Sequence, residues 1–321
     1  MWNYRAPRWL PGGHAQTIYA AKWARNSTDQ HVHWTRQRWA TPDADFVDVD
    51  WRRVSNNNAP LLVLFHGLEG SSHSHYARAF ASIAQASGWH IAVPHFRGCS
   101  GEPNWAPRAY HSGDYEEIDW MLKKFSEQTS GKLYAVGVSL GGNALMKWAG
   151  MKQSGANAIV NAVASVCAPL DLTASGHAIG QGFNRWSYTR MFLASMKPRA
   201  QHKYAQYPGL FDLKAVMRAK NLYEFDQAFT APLHGFANAD EYWRIASAKP
   251  HMKNIALPAL ALNAMNDPFI PASSLPWPHD VSQHVSLWHT AQGGHVGYAD
   301  SPWPGHVLSL PQAVVSWLKQ W

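Results

Sequence analysis

Gly137-Val138-Ser139-Leu140-Gly141, with Gly142 directly behind it, sets a serine between glycines two residues away on each side. A serine hydroxyl is a poor nucleophile at neutral pH. It attacks a carbonyl only when a histidine takes its proton and a carboxylate holds that histidine in the right tautomer. A serine on a very sharp strand-to-helix turn is lifted clear of its surroundings, and the next backbone N–H points at the carbonyl oxygen under attack. Such a turn strains the backbone and leaves no room for side chains two residues either side, which is the use of the glycines. The chemistry implied is acyl transfer through a covalent intermediate. The pentapeptide arises easily by chance, so its weight comes from standing between a predicted strand and a predicted helix.

In this arrangement the acid and then the base follow the serine along the chain. Asn266-Asp267-Pro268 comes just after the apolar run PALALN, where a tight turn leaves a late strand, and Asp267 is the expected acid. Asp171 and Asp212 are alternatives that fall before or inside a helical stretch, and Asp280 follows too late to leave that strand. Gly293-Gly294-His295-Val296-Gly297 follows the last predicted strand, and His295 is the expected base. His289, at the end of that strand, and His306, at the start of the last helix, read more simply as packing or surface residues. The second half of an oxyanion site belongs in the loop His66-Gly67-Leu68-Glu69-Gly70. The N–H groups of Leu68 and Leu140 are the expected donors. His66 itself reads as a hydrogen-bonded structural residue.

Several elements must bring these residues together. Residues 31–39 and 46–53 alternate apolar with polar, as half-buried antiparallel strands do. Residues 60–66 (PLLVLFH), 89–96, 132–138 and 158–167 are continuous apolar runs, the pattern of strands covered on both faces. Helical spacing fills 75–87, 114–129 and 140–153, with Asp114 as an N-cap and Gly88 and Gly131 as stops. Strand and helix alternate, which predicts a mostly parallel sheet with helices on both faces. Residues 170–250 break the alternation. They read as a helical cap inserted between the fourth and fifth parallel strands, before strands at 258–263 and 284–289 and a helix over 306–320. The expected organisation is therefore an α/β-hydrolase fold. Its core comprises residues 1–169 and 251–321, with an irregular arm over 1–30 and a cap over 170–250. The cap aromatics, Trp186, Tyr188, Phe192, Tyr204, Tyr207, Phe211, Phe225, Phe229 and Trp243, are read chiefly as cap core, with some facing an acyl chain.

Composition narrows the function. The chain has 321 residues, 46% apolar and only 15% charged, with 17 Trp and 18 His. That is enough to bury a large core. The net charge of +7 comes from scattered Lys and Arg with no dense basic block, which argues against nucleic acid as a partner. Cys99 and Cys167 cannot build a disulfide framework or a structural zinc site. His73 and His75 form a close histidine pair, too little for a metal centre. The segment MWNYRAPRWLPGGHAQ lacks the apolar region of a secretory signal, so a cytoplasmic setting is expected and the Asn26-Ser27-Thr28 sequon reads as chance. No run reaches membrane-spanning length, although the aromatic surface suits peripheral lipid contact. Gly137 and Gly142 do not make a dinucleotide fingerprint.

A set of longer motifs adds a resemblance. HGLEGSSHSHYARAF, HFRGCSGEPN, RAYHSGD, YAVGVSLGGNALMKW, FTAPLHGF, NDPFIP and GGHVGY together resemble the YheT-like α/β-hydrolases, from about Pro11 to the C-terminus. The arm departs from the pattern, with Pro11-Gly12-Gly13-His14 where many relatives have Asn-Pro-His. The resemblance implies carboxylic-ester hydrolysis, or acyl transfer to an alcohol, with a triad of Ser139, Asp267 and His295. No cofactor or metal is implied. A non-catalytic lipid-binding module is the remaining alternative, and oligomeric state is not legible.

Overall fold

The computed structural model describes residues 2–23 and 32–321; the Asn26-Ser27-Thr28 triplet and the start of the first expected strand lie outside them. Eight strands form one sheet in the order β1-β2-β4-β3-β5-β6-β7-β8. β1 (Thr35–Ala40) pairs antiparallel with β2 (Phe46–Arg52), which pairs antiparallel with β4 (His90–Pro94). The rest, β3 (Leu61–Phe65), β5 (Leu133–Val138), β6 (Ala162–Val166), β7 (Ala259–Ala264) and β8 (Val285–Thr290), run parallel. Leu61 stands opposite Leu133 and Phe65 opposite Gly137, so β3 and β5 end side by side.

The apolar run of β3 shows why both faces had to be covered. Leu61, Val63 and Phe65 pack toward α3 (Tyr115–Ser126) and α4 (Leu140–Lys152). Leu62 and Leu64 pack on the opposite face toward α2 (His75–Ala86) and the C-terminal helix Ser309–Leu318. The period of two in a strand sends successive side chains to opposite layers, so a strand between two helix layers must be apolar throughout. Asp114 caps α3 by accepting from the Glu117 N–H, as its position predicts.

Two expectations need correction. The pair β1 and β2 is antiparallel, but only β1 is an exposed edge; β2 is buried along nearly its whole length. Its alternating acids do not face solvent. Asp48 and Asp50 are buried and paired with Arg38 and Arg36 of β1, which lie across the edge strand and neutralise them. A charged residue buried with a partner mimics the polar half of an amphipathic strand. The arm is also not irregular throughout, because α1 spans Gly12–Lys22. It carries almost no amphipathic signal, starts on two glycines and has no capping side chain. Gln16, Thr17 and Ala20 are its buried positions. Contacts to two distant loops fix this helix, and one-dimensional periodicity does not report them.

Between β6 and β7 the chain runs through a helical insert that includes Leu172–Ile179, Arg190–Gln206, Leu213–Arg218 and Ala239–Ala246. Leu193, Ala200, Phe211, Val216, Phe225 and Phe229 form a small apolar core within the insert. Among the described residues, no helix is long and apolar enough to cross a membrane.

Candidate active site

β5 delivers Ser139 directly. The residue follows Val138 without an intervening loop, and α4 begins at Leu140. Ser139 has φ +53 and ψ −119, a conformation unfavourable for any residue with a Cβ. The turn is held open from both sides. The Ser139 N–H donates to Val166 O on β6, and Ser139 O accepts from the Gly142 and Asn143 N–H groups. A Cβ on Gly137 would lie 2.6 Å from the Gly141 carbonyl carbon and the Gly142 Cα, and one on Gly141 would lie 2.5 Å from Phe65 O. The glycines that flank the serine therefore allow strand β5, its neighbour β3 and helix α4 to meet within one turn.

The loops after β7 and β8 supply the other two residues. His295 Nε2 lies 2.9 Å from Ser139 Oγ, and His295 Nδ1 lies 2.8 Å from Asp267 Oδ2. Asp267 is fully buried at its side chain and accepts the Phe269 N–H through Oδ1 at 2.8 Å. With Nδ1–H donated to the carboxylate, Nε2 presents its lone pair to the serine hydroxyl. That is the tautomer a general base requires. The Phe269 ring packs on His295 with centroids 4.3 Å apart and restricts the imidazole further.

The other candidates fall elsewhere. Asp171 and Asp212 cap the helices that start after them, accepting the Ala174 and Ala215 N–H groups. Asp280 accepts from the Trp277 N–H. His289 packs against Trp277, and His306 pairs with Asp300 at the surface. His66 is buried; its Nε2 accepts the Phe96 N–H and its Nδ1–H donates to Gly67 O. Burial holds its pKa down to about 3, so it is neutral and structural. His73 is exposed, whereas buried His75 sits 3.1 Å from Val296 O. Among the described residues, no cluster of three or more His, Cys, Asp or Glu could hold a metal ion.

The loop after β3 is pinned by two tyrosines. Tyr76 OH accepts the Gly67 N–H and Tyr110 OH accepts the Glu69 N–H. Leu68 lies between them, and Glu69 has φ +56. A Cβ on Gly67 would come within 3.2 Å of Ser139 Cβ, so this loop passes the serine as closely as packing allows. Leu140 is the first residue of α4, and its N–H has no carbonyl four residues back within the helix. Leu68, Leu140, Ser139 and His295 all line one cavity of about 420 Å³. From the insert come Ile179, Phe192, Met196, Phe225, Phe229 and Trp243, so the wall is mainly apolar. Of the insert's aromatics, those four rings and Tyr242 reach the cavity, whereas Tyr188 and Phe211 pack in apolar clusters. Trp186 faces solvent.

Sequence reasoning missed the supports supplied by α1. Gln16 Oε1 accepts from both the Gly293 N–H and Asn266 Nδ2, one bond to the loop that carries His295 and one to the loop that carries Asp267. Thr17 Oγ1 accepts the His295 N–H at 2.8 Å and donates to Gly13 O. A Cβ on Gly13 would run into the Asn266 carbonyl. The available signal was the unusual Gly-Gly-His-Ala-Gln-Thr run, which has polar residues where a surface helix would bury apolar ones. Cys99 is buried with its thiol pushed up to about 12, chiefly by burial, against the lowering influence of Arg199.

Comparison with known proteins agrees with this fold. A family model for the α/β-hydrolase fold matches residues 60–302. The esterase-named YheT of Escherichia coli (strain K12) is 39% identical over 290 residues, 88% of this chain and 84% of its own. Phospholipase ABHD3 of Homo sapiens is 26% identical over 283 residues, 85% of this chain and 68% of its own. The solved structure of the esterase Pf2001 of Pyrococcus furiosus superposes with a TM-score of 0.56 at 15% identity, over 94% of this chain and 96% of that one. That likeness is one of fold. A mostly parallel sheet carrying a serine elbow after β5, with a 39% identical relative along most of its length, places the chain in the α/β-hydrolase fold family, among the relatives of YheT.

Proposed function

We propose that this chain is a serine carboxylesterase acting on short- to medium-chain or lipid-type esters. The observation that carries the reading is the unbroken hydrogen-bonded chain Ser139–His295–Asp267 at the floor of an apolar cavity. Ser139 Oγ attacks the ester carbonyl while His295 Nε2 takes its proton. Asp267 stabilises the imidazolium and stays ionised. The Leu68 and Leu140 N–H groups receive the oxyanion, and the helix N-terminus at Leu140 adds positive potential. The tetrahedral intermediate collapses as His295 protonates the departing alcohol, leaving an acyl-enzyme. Water, activated by the same histidine, then releases the acid. Residues 170–250 act as a cap whose rings Phe192, Phe225 and Phe229 hold the acyl chain. The named activities of YheT and Phospholipase ABHD3 support an ester substrate.

The test is hydrolysis of p-nitrophenyl esters of rising acyl length by the wild type and by Ser139→Ala. The expected result is activity in the wild type, about 10⁴-fold lower in the variant, with a chain-length optimum set by the cavity. Equal activity in the two proteins sinks the assignment. Failure of the folded wild type to label with a serine-directed phosphonate would point instead to a binding module. Ester product on adding alcohol would assign the acyl-enzyme to transfer.

A further inference from the structure

The insert has a second face that the esterase reading does not use. From Leu172 to Phe211 the sequence contains no Asp or Glu, but it carries Arg185, Arg190, Lys197, Arg199 and Lys203. Within it, Arg185–Thr189 winds as a π-helical turn into the helix Arg190–Gln206. Such a turn bonds residues five apart, so Trp186 shares a side with Arg190 and Met191. Phe183, Trp186 and Met191 are 55%, 76% and 55% exposed, and Arg185 and Arg190 are exposed beside them. Neither arginine has an ion-pair partner among the described residues. Large apolar side chains in that number at one place on a surface mark an interaction site, and the cations interleaved with them specify its partner.

The opposite side of the same segment faces the cavity. Phe192, Met196 and Arg199 line it, one to eight residues from Met191. A run of ring contacts joins the two faces: Phe183 to Tyr188 at 6.1 Å, Tyr188 to Phe269 at 4.5 Å, and Phe269 to His295 at 4.3 Å. His14 of α1 also packs on Phe183, so a second element without Asp or Glu, the helix Gly12–Lys22, abuts the patch.

We propose that Phe183, Trp186 and Met191, flanked by Arg185 and Arg190, form a docking face for an anionic lipid surface. The rings enter the interface while the guanidinium groups pair with lipid phosphates. The docking stands on exposure and charge alone; its use in presenting esters to Ser139 rests on the esterase reading.

The test is flotation of the full chain with vesicles of phosphatidylcholine, with and without phosphatidylglycerol, at low and high salt. Binding is expected to the anionic vesicles and to weaken with salt. Arg185→Gln with Arg190→Gln should weaken it about 25-fold, roughly fivefold per charge. Trp186→Ala should weaken it as well, with hydrolysis of soluble p-nitrophenyl acetate unchanged in each variant. Absence of anionic-vesicle binding by the wild type overturns the proposal, as does equal binding by wild type and variants. Duplex DNA that binds as tightly, through the same arginines, overturns it in favour of nucleic acid. Flotation requires no turnover, so an inactive Ser139→Ala protein that still floats separates failure of the esterase reading from failure of this one.

Discussion

Arg199, on a helix of the insert, places its Nε 3.0 Å from Oε2 of Glu69, the residue directly after Leu68. The same guanidinium donates to Gly98 O and reaches Cys99 Sγ at 3.2 Å. Glu69 is held from its other oxygen by Tyr110 OH at 2.8 Å and keeps a left-handed backbone. The insert thus grips the loop that carries the proposed oxyanion donor. Arg199 is in this sense a positioning residue. Arg199→Gln should lower kcat on a small soluble ester about tenfold, below the loss from deleting a donor outright. KM should stay within about twofold, and Arg199→Lys should recover part of the loss. Rates normalised to phosphonate-titrated sites check this; an unchanged kcat per titrated site with a lowered Tm would mean the ion pair serves stability alone.

Thr17 gives a second prediction, because its hydroxyl is the acceptor for the His295 N–H. Thr17→Val keeps the volume but leaves that part-buried amide without a partner, a cost of about 1 kcal/mol or more. The loop can recover the bond only by shifting His295. The expected outcome is a kcat loss of about tenfold, with the same acyl-length optimum. Steady-state kinetics across the ester series measures both, and a change confined to the optimum would refute the assignment.

Gly137 tests the elbow as architecture. An alanine there forces its Cβ into the backbone of Gly141 and Gly142, while the parallel pairing of β5 with β3 and β6 holds residue 137 in place. Gly137→Ala should destabilise the fold by about 3 kcal/mol or more, the range of severe backbone and overpacking effects. Urea unfolding followed by circular dichroism measures it. A loss under 1 kcal/mol would show that the turn relaxes without cost.

Asp50 links stability to pH. Burial raises its pKa, but the Arg36 fork outweighs this, aided by His95 and Ser72, and the carboxyl ends well below the usual range. A depressed folded pKa stabilises the protein above about pH 4, where the unfolded carboxyl is ionised. That contribution is lost as pH falls further, toward the folded value. Asp50→Asn should therefore cost about 3 kcal/mol at pH 7, leaving Arg36 and His95 without their anion. The gap from wild type should narrow between pH 4 and pH 2. Thermal unfolding at pH 7, 4 and 3 decides it; a gap independent of pH would show that the carboxylate charge is not the source.

Much of the frame was legible in the residues, because it depends on local and periodic patterns. The runs at Leu61–Phe65 and Leu133–Val138 announce strands covered on both faces, since they are continuously apolar, too short for a buried helix and bounded by turn residues. The elbow at Ser139 and the Asp267 and His295 turns could be placed because each sits at the end of a strand, where topology limits where a side chain can go. Three features depended on contacts between distant parts of the chain. Asp48 and Asp50 read as solvent-facing until the arginines of the edge strand are seen to neutralise them. Helix α1 lacks amphipathic signal because two of its three buried residues, Gln16 and Thr17, hydrogen-bond polar groups of distant loops. Which rings of the insert line the cavity, and which stand in solvent, follows from how the insert docks on the sheet. Periodicity records whether a side chain is buried, but the identity of its neighbour is decided only when segments far apart in sequence pack together.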